Sequence, residues 1–199
     1  MTKKSKFKRI KIVEILRKIY SFLLDSLQTF LMAAAVFLVI YIFLFRPFEV
    51  KGASMFPNFH DKEYVLTNLI TLKFEDPKLG DVIVFKAPMD PEKDFIKRVI
   101  GTQGDSVEVR NGSVYLNGSL LDESAYLEPS VKTYGGAFLN EGEAVTIPSS
   151  EFFVLGDNRM YSSDSREWGF VKKEAIIGKS LFVYWPLNDA KLITNPYKK

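Results

Sequence analysis

A chain of 199 residues, 47% hydrophobic and 14% aromatic, has room for one membrane anchor and one well-cored domain, and gives no reason to look for a third unit. It has no cysteine and a single histidine, His60, which excludes disulfides, thiolate nucleophiles and cysteine–zinc clusters and leaves little from which to build a transition-metal site. Residues 1–25 hold eight Lys/Arg against two Asp/Glu, so of the chain's net +3 this segment supplies +6 and the remainder −3; the basic character belongs to a tail suited to anionic lipid, not to a nucleic-acid-binding domain.

In chain order, Lys3, Lys4, Lys6, Lys8, Arg9 and Lys11 lead into Ile12, Ile15, Leu16, Ile19, Phe22 and Leu23, apolar residues at helical spacing with Arg17 and Lys18 on the other face. The pattern predicts a short helix lying on a membrane surface, with a coiled-coil or partner helix as the alternative. Residues 26–45 (SLQTFLMAAAVFLVIYIFLF) carry no charge, and a helix of that length rises about 30 Å, a bilayer core. The run is longer than the apolar part of a cleaved signal peptide and is followed by Arg46-Pro47-Phe48 with no small-residue cleavage site, so it reads as an uncleaved anchor. Basic residues crowd its N-terminal side, which places residues 1–25 in the cytoplasm and residues 46–199 outside.

From Phe48 onward short β-rich runs alternate with Gly, Pro, Asp and Asn, the signature of an antiparallel β domain. Strands are expected at 81–85, 95–100, 106–110, 113–116, 144–148, 152–155 and 176–185, with Asn111-Gly112 as a tight hairpin turn. Residues 117–143, rich in Gly, Ser, Glu and Asn, read as a surface excursion with at most one ordered β pair. There is no internal repeat; the Gly-Asp pairs at 80, 104 and 156 are turn chemistry.

Three stretches carry candidate chemistry. Ser54 stands among small residues just beyond the anchor, in Lys51-Gly52-Ala53-Ser54-Met55-Phe56-Pro57. A serine hydroxyl needs a base to take its proton. His60 sits in a polar stretch that reads as an exposed turn, with nothing marking a carboxylate to orient it, so a Ser-His-Asp triad is disfavoured and a buried, neutral lysine is the remaining option. On a strand, Lys97 shares its face with Phe95 and Val99, while Ile96, Arg98 and Ile100 take the other. Desolvation there would lower its pKa; the bland alternative is a lysine snorkelling at a strand edge. The third stretch, residues 156–169, is denser in hydroxyls, carboxylates and arginines than a solvated loop requires, although its charges could simply brace a turn.

Together these stretches resemble the bacterial type I signal peptidases, membrane-bound serine endopeptidases. Gly52-Ala53-Ser54-Met55-Phe56-Pro57 is similar to the family's nucleophile box and Lys97-Arg98-Val99-Ile100-Gly101 to its general-base box. Gly156-Asp157-Asn158-Arg159 through Ser162, Asp164, Ser165, Arg166 and Gly169 resembles its third signature, and Gly80-Asp81-Val82-Ile83-Val84-Phe85 its remaining strand box. The resemblance implies a mainly β catalytic domain behind one N-terminal transmembrane helix, no cofactor, no metal, and signal-peptide-bearing precursors as partners, with oligomeric state open. It implies Ser54 as nucleophile, Lys97 as general base, Ser162 as the hydroxyl that orients the amine, and the supporting pairs Asp164 with Arg166 and Asp157 with Arg98. Substrate would bind as an extended strand with small residues at the first and third positions before the cut, against apolar walls from Phe48, Val50, Met55 and Ile96, beside Gly52.

Two positions depart from the usual pattern. Gly52 stands where many members carry a Ser or Thr whose hydroxyl joins the oxyanion hole, which leaves the second donor unassigned. Pro57-Asn58-Phe59 replaces Pro-Thr-Leu, making the larger Phe59 a candidate to reshape the pocket. Competing readings are a self-cleaving Ser-Lys repressor-type protease, opposed by the membrane span, and a catalytically silent anchored β module that binds peptides by strand addition, opposed by the presence of both Ser54 and Lys97.

Overall fold

The computed structural model describes residues 3–198, with side chains from residue 14 onward. It divides into two compact units, residues 1–43 and 44–199. The first is a single helix, α1 (Lys3–Leu44). It contains neither Gly nor Pro, so nothing interrupts the i→i−4 ladder, and the basic and apolar segments form one continuous helix where the sequence suggested two. Its stretch Glu14–Leu44 is long and apolar enough to cross a membrane. The basic side chains of residues 3–11 lie outside those described. The helix gives way where Pro47 approaches, since a proline pushes the preceding residue into extended conformation.

The second unit is mainly antiparallel β. One sheet of eight strands runs in the order β1 (Phe45–Glu49), β2 (Tyr64–Asn68), β11 (Ile176–Trp185), β3 (Val82–Ala87), β4 (Asp90–Gly101), β9 (Glu151–Leu155), β10 (Val171–Lys172), with β12 (Lys191–Leu192) also on β11. A second sheet of four strands runs β7 (Ser119–Leu120), β6 (Ser113–Leu116), β5 (Ser106–Arg110), β8 (Ala144–Thr146). Two one-turn helices, α2 (Thr71–Phe74) and α3 (Ser165–Trp168), lie in the connections. Pro47 sits in β1, an edge strand, where its missing N–H costs no ladder bond.

The central strand β3 is buried along 82–85, and its alternate residues serve different cores. Ile83 and Phe85 pack with Val99, Phe152, Val154 and Val171, whereas Val82 packs with Val50, Met55, Phe59, Val65 and Val183. A third cluster joins the two sheets: Ile100, Phe153 and Leu155 meet Val107, Val109, Val114, Leu139 and Ile147. Within the second sheet Asn111 (φ 52°) and Gly112 (φ 76°) make the expected turn between β5 and β6. Asn117 (φ 52°) and Gly118 (φ 77°) repeat it between β6 and β7, a second hairpin that the same Asn-Gly signal announces.

The segment 117–143 contains that short β pair and is otherwise irregular, but it is more than a surface excursion. Leu139 is fully buried in the cluster between the sheets, and Tyr126 and Leu127 are buried too. Glu123 reaches inward to Arg159, and the Arg98 guanidinium lies 4.2 Å from the centre of the Tyr126 ring. A loop can go without strand pairing and still hold core positions when its side chains point in. Leu139→Ala should therefore lower stability by about 2–5 kcal/mol through cavity formation, whereas Leu120→Ala, at a site 62% exposed, should change it by less than about 0.5 kcal/mol. Urea denaturation compares the two; equal midpoints would show that the segment lies outside the core.

Candidate active site

Ser54 lies in the connection between β1 and β2, and Lys97 lies on β4. The Ser54 turn is anchored from beneath by Met55, which is fully buried and whose Sδ accepts the Asp157 N–H at 3.5 Å. From the side it is held by Asn158, whose Nδ2 donates to Ala53 O (2.9 Å) and whose backbone N–H donates to Ser54 O (3.0 Å). The short local bonds Phe56 N–H to Ala53 O and Phe59 N–H to Met55 O coil the following residues. Ser54 is left half-buried, with its hydroxyl 2.7 Å from Lys97 Nζ.

Lys97 is only 3% exposed. Its Nζ donates to Ser54 Oγ and, at 3.1 Å, to Ile96 O, and lies 5.1 Å from the centre of the Phe95 ring. Burial in this apolar wall lowers its pKa to about 8, against the opposing pull of Asp164 and Asp157. Both carboxylates are engaged elsewhere. Asp157 takes two bonds from Arg98, Nε to Oδ1 at 2.9 Å and Nη2 to Oδ2 at 2.7 Å, plus one from Asn58 Nδ2 at 2.9 Å. Asp164 takes Arg166 Nε and Nη2, both at 2.8 Å, and accepts the Gly156 N–H at 3.1 Å. Both expected pairs are thus present, and Arg98 points away from Lys97, as strand alternation requires. Arg159 belongs to a separate pair with Glu123 and also donates to Thr133 Oγ1.

Ser162 does not hydrogen-bond to the Lys97 amine. Its Oγ is buried, makes no hydrogen bond among the described residues, and lies over Gly156, where a Cβ would collide with Ser162 Oγ and Ser54 O. Gly156 therefore keeps this hydroxyl close to the Ser54 turn. Ser165, in the same loop, is structural: its Oγ accepts the Val154 N–H at 2.9 Å.

A groove of about 280 Å³ opens over Ser54 and Lys97. Phe48, Val50, Gly52 and Ile96 line it, joined by Phe95, Val84, Tyr161 and Ser163. Two expectations are corrected. Met55 is no wall of the groove, because its side chain points into the core. Phe59, 2% exposed, does not line the groove itself; its side chain lies in the core cluster that also holds the groove residue Val50. His60 does have a carboxylate partner, Glu63, with Nδ1 and Oε1 3.1 Å apart, but the Ser54 hydroxyl is engaged by Lys97.

The backbone N–H groups around the serine divide clearly. Among the described residues the Ser54 N–H has no acceptor, whereas the Gly52 N–H is taken by Asp61 Oδ1 at 2.6 Å. Asn158, Asn58 and Asp61 received no role from the sequence. Their contacts span up to 105 residues, and no local pattern encodes them.

The family model described as signal peptidase, peptidase S26, matches residues 23–185. "Signal peptidase IB" of Staphylococcus aureus (strain MRSA252) is 35% identical over 186 residues, covering 86% of this chain and 96% of its own length. "Probable signal peptidase I-2" of Synechocystis sp. is 36% identical over 172 residues, covering 82% of this chain and 75% of its own. A crystal structure of a signal peptidase I from Enterococcus faecalis V583 is similar at a TM-score of 0.44 and 31% identity, covering 53% of this chain and 97% of that one. With a family match over most of its length and relatives of this identity, the chain belongs to the signal peptidase family, peptidase S26.

Proposed function

We propose that this signal peptidase is a membrane-anchored serine endopeptidase that cleaves signal peptides from exported precursors with Ser54 as nucleophile and Lys97 as general base. The observation that carries the reading is the 2.7 Å contact between Ser54 Oγ and a lysine amine that is almost wholly buried. A buried, unpaired ammonium is costly, and a lysine held there with no carboxylate of its own has chemical value only when neutral.

In the proposed reaction the Lys97 lone pair takes the Ser54 hydroxyl proton as Oγ attacks the scissile carbonyl carbon, whose π electrons move to oxygen. The free Ser54 N–H is the donor placed to meet that oxyanion. Collapse breaks the C–N bond, and the Lys97 ammonium returns the proton to the departing amine. Water, deprotonated by the same amine, then attacks the acyl carbon and releases the signal peptide as a carboxylate, restoring Ser54. Phe48, Val50 and Ile96 supply apolar walls for the small residues before the cut, and an extended substrate suits a groove bounded by β1 and β4. Asp157 with Arg98, and Asp164 with Arg166, support the site by bracing the loop that packs behind the dyad. Ser162 acts on the turn through Gly156 and orients the amine once the hydroxyl rotates in the substrate complex. The helix of unit one supplies the anchor, and the basic residues 1–25 the cytoplasmic end.

The base assignment fixes the pH dependence. Below its folded pKa Lys97 is protonated and cannot accept a proton, so kcat/KM should rise with pH through about 8. Stability carries the same sign. Between the folded value of about 8 and the unperturbed 10.5 the unfolded state binds more protons, so stability grows as pH rises through this window and the contribution is lost as pH falls through 8. Ser54→Ala should abolish cleavage of a signal-peptide-bearing precursor without unfolding the domain, and Lys97→Arg should abolish it because a guanidinium stays charged. An active Lys97→Arg enzyme, or a rate still climbing to pH 10, would rule out the buried amine as base.

Topology gives a separate check. Protease added to intact spheroplasts should digest residues 46–199 and spare residues 1–25; digestion of the tail alone would reverse the orientation.

A further inference from the structure

Residues 51–53 are exposed, and Gly52 has φ +84° with nothing packed within 4 Å of the place a Cβ would occupy. A glycine in open space has many conformations available, so packing alone does not hold the backbone leading into Ser54. Hydrogen bonds do. Val50 N–H donates to Glu63 O at 2.7 Å and Lys62 N–H to Val50 O at 2.8 Å, a short ladder between the two ends of the loop. The next rung is not backbone: the Asp61 carboxylate takes the Gly52 N–H at 2.6 Å. Beyond it, Asn158 takes over, holding Ala53 O and Ser54 O. A short bond to a charged acceptor is stronger than its neutral counterpart, and here it is the tie on the Gly52 side of the turn.

We propose that Asp61 is a positioning residue for signal-peptide cleavage: by accepting the Gly52 N–H it fixes the turn that presents Ser54 to Lys97 and to the substrate groove. Ser54 lines that groove, so freedom at Gly52 moves the attacking oxygen relative to a bound substrate. The bond also turns the Gly52 amide toward Asp61 and so takes it out of the donors open to a substrate at the turn. This inference rests on Ser54 being the nucleophile.

The test uses the full-length protein in detergent with a precursor substrate. Asp61→Ala should lower kcat about 10- to 100-fold, with KM changed less than about two-fold. The acidic limb should stay at about pH 8, because the surroundings of Lys97 are intact. Amide hydrogen exchange in a peptide covering residues 50–55 should accelerate by about tenfold or more. Asp61→Asn, which keeps an acceptor oxygen, should recover most of the rate and guards against a folding defect in the alanine variant. An unchanged kcat, a raised KM at constant kcat, a displaced pH limb, or unchanged exchange would each overturn the inference. Ser54→Ala measured alongside separates the two readings. If it is active, the nucleophile assignment fails; if it is inactive while Asp61→Ala is fully active, only the role of Asp61 fails.

Discussion

The buried Lys97 amine stands in the field of two carboxylates while desolvation disfavours its charge, and the site is arranged around that conflict. Asp164 and Asp157 both pull Lys97 toward the ammonium form, and burial pulls the other way. Burial prevails because each carboxylate has its own guanidinium, bound through both oxygens, so what reaches Lys97 is the residual field of two neutralised pairs. If either arginine were lost, a bare buried carboxylate would stand nearby, and the amine would become its natural counter-ion. The ion pairs are thus part of the electrostatics of the amine as well as braces for the loop.

Sheet order brings these groups together. The register Arg98↔Leu155 between β4 and β9 places residues 156–158, as they leave β9, beside the start of the Lys97-Arg98 step. Asp157 can then meet Arg98 while Asn158, one residue on, turns to the serine loop. Alternation on β4 sends Lys97 and Arg98 to different neighbours, so one dipeptide supplies both the amine and the counter-charge for the loop behind it. Gly156 completes the approach, since any side chain there would meet the Ser54 carbonyl and the Ser162 hydroxyl.

Much of this was legible from residues alone. The uncharged run 26–45, the strand alternation that buries Lys97, and Asn111-Gly112 each encode their outcome locally, through length, period and turn chemistry. Met55 and Phe59 face the core; proximity in sequence to Ser54 says nothing about which way a side chain points in a coiled turn. The composition of residues 117–143 carries no trace of Leu139, fully buried in the core, or of Leu121 packed against the same cluster. The Ser162 hydroxyl was expected on the amine because a resemblance transfers a role and not a rotamer. Asn158 and Asp61 escaped notice because their bonds depend on segments meeting in space.

The second sheet, β5 to β8, contributes no residue to the groove and joins the first through one apolar cluster. Its outer turn at Asn117-Gly118 has open space at the glycine. Chemistry and scaffold are therefore separable in this fold: the turn is an attachment point where a fluorophore or affinity tag could be carried while the electrostatics of the dyad stay undisturbed.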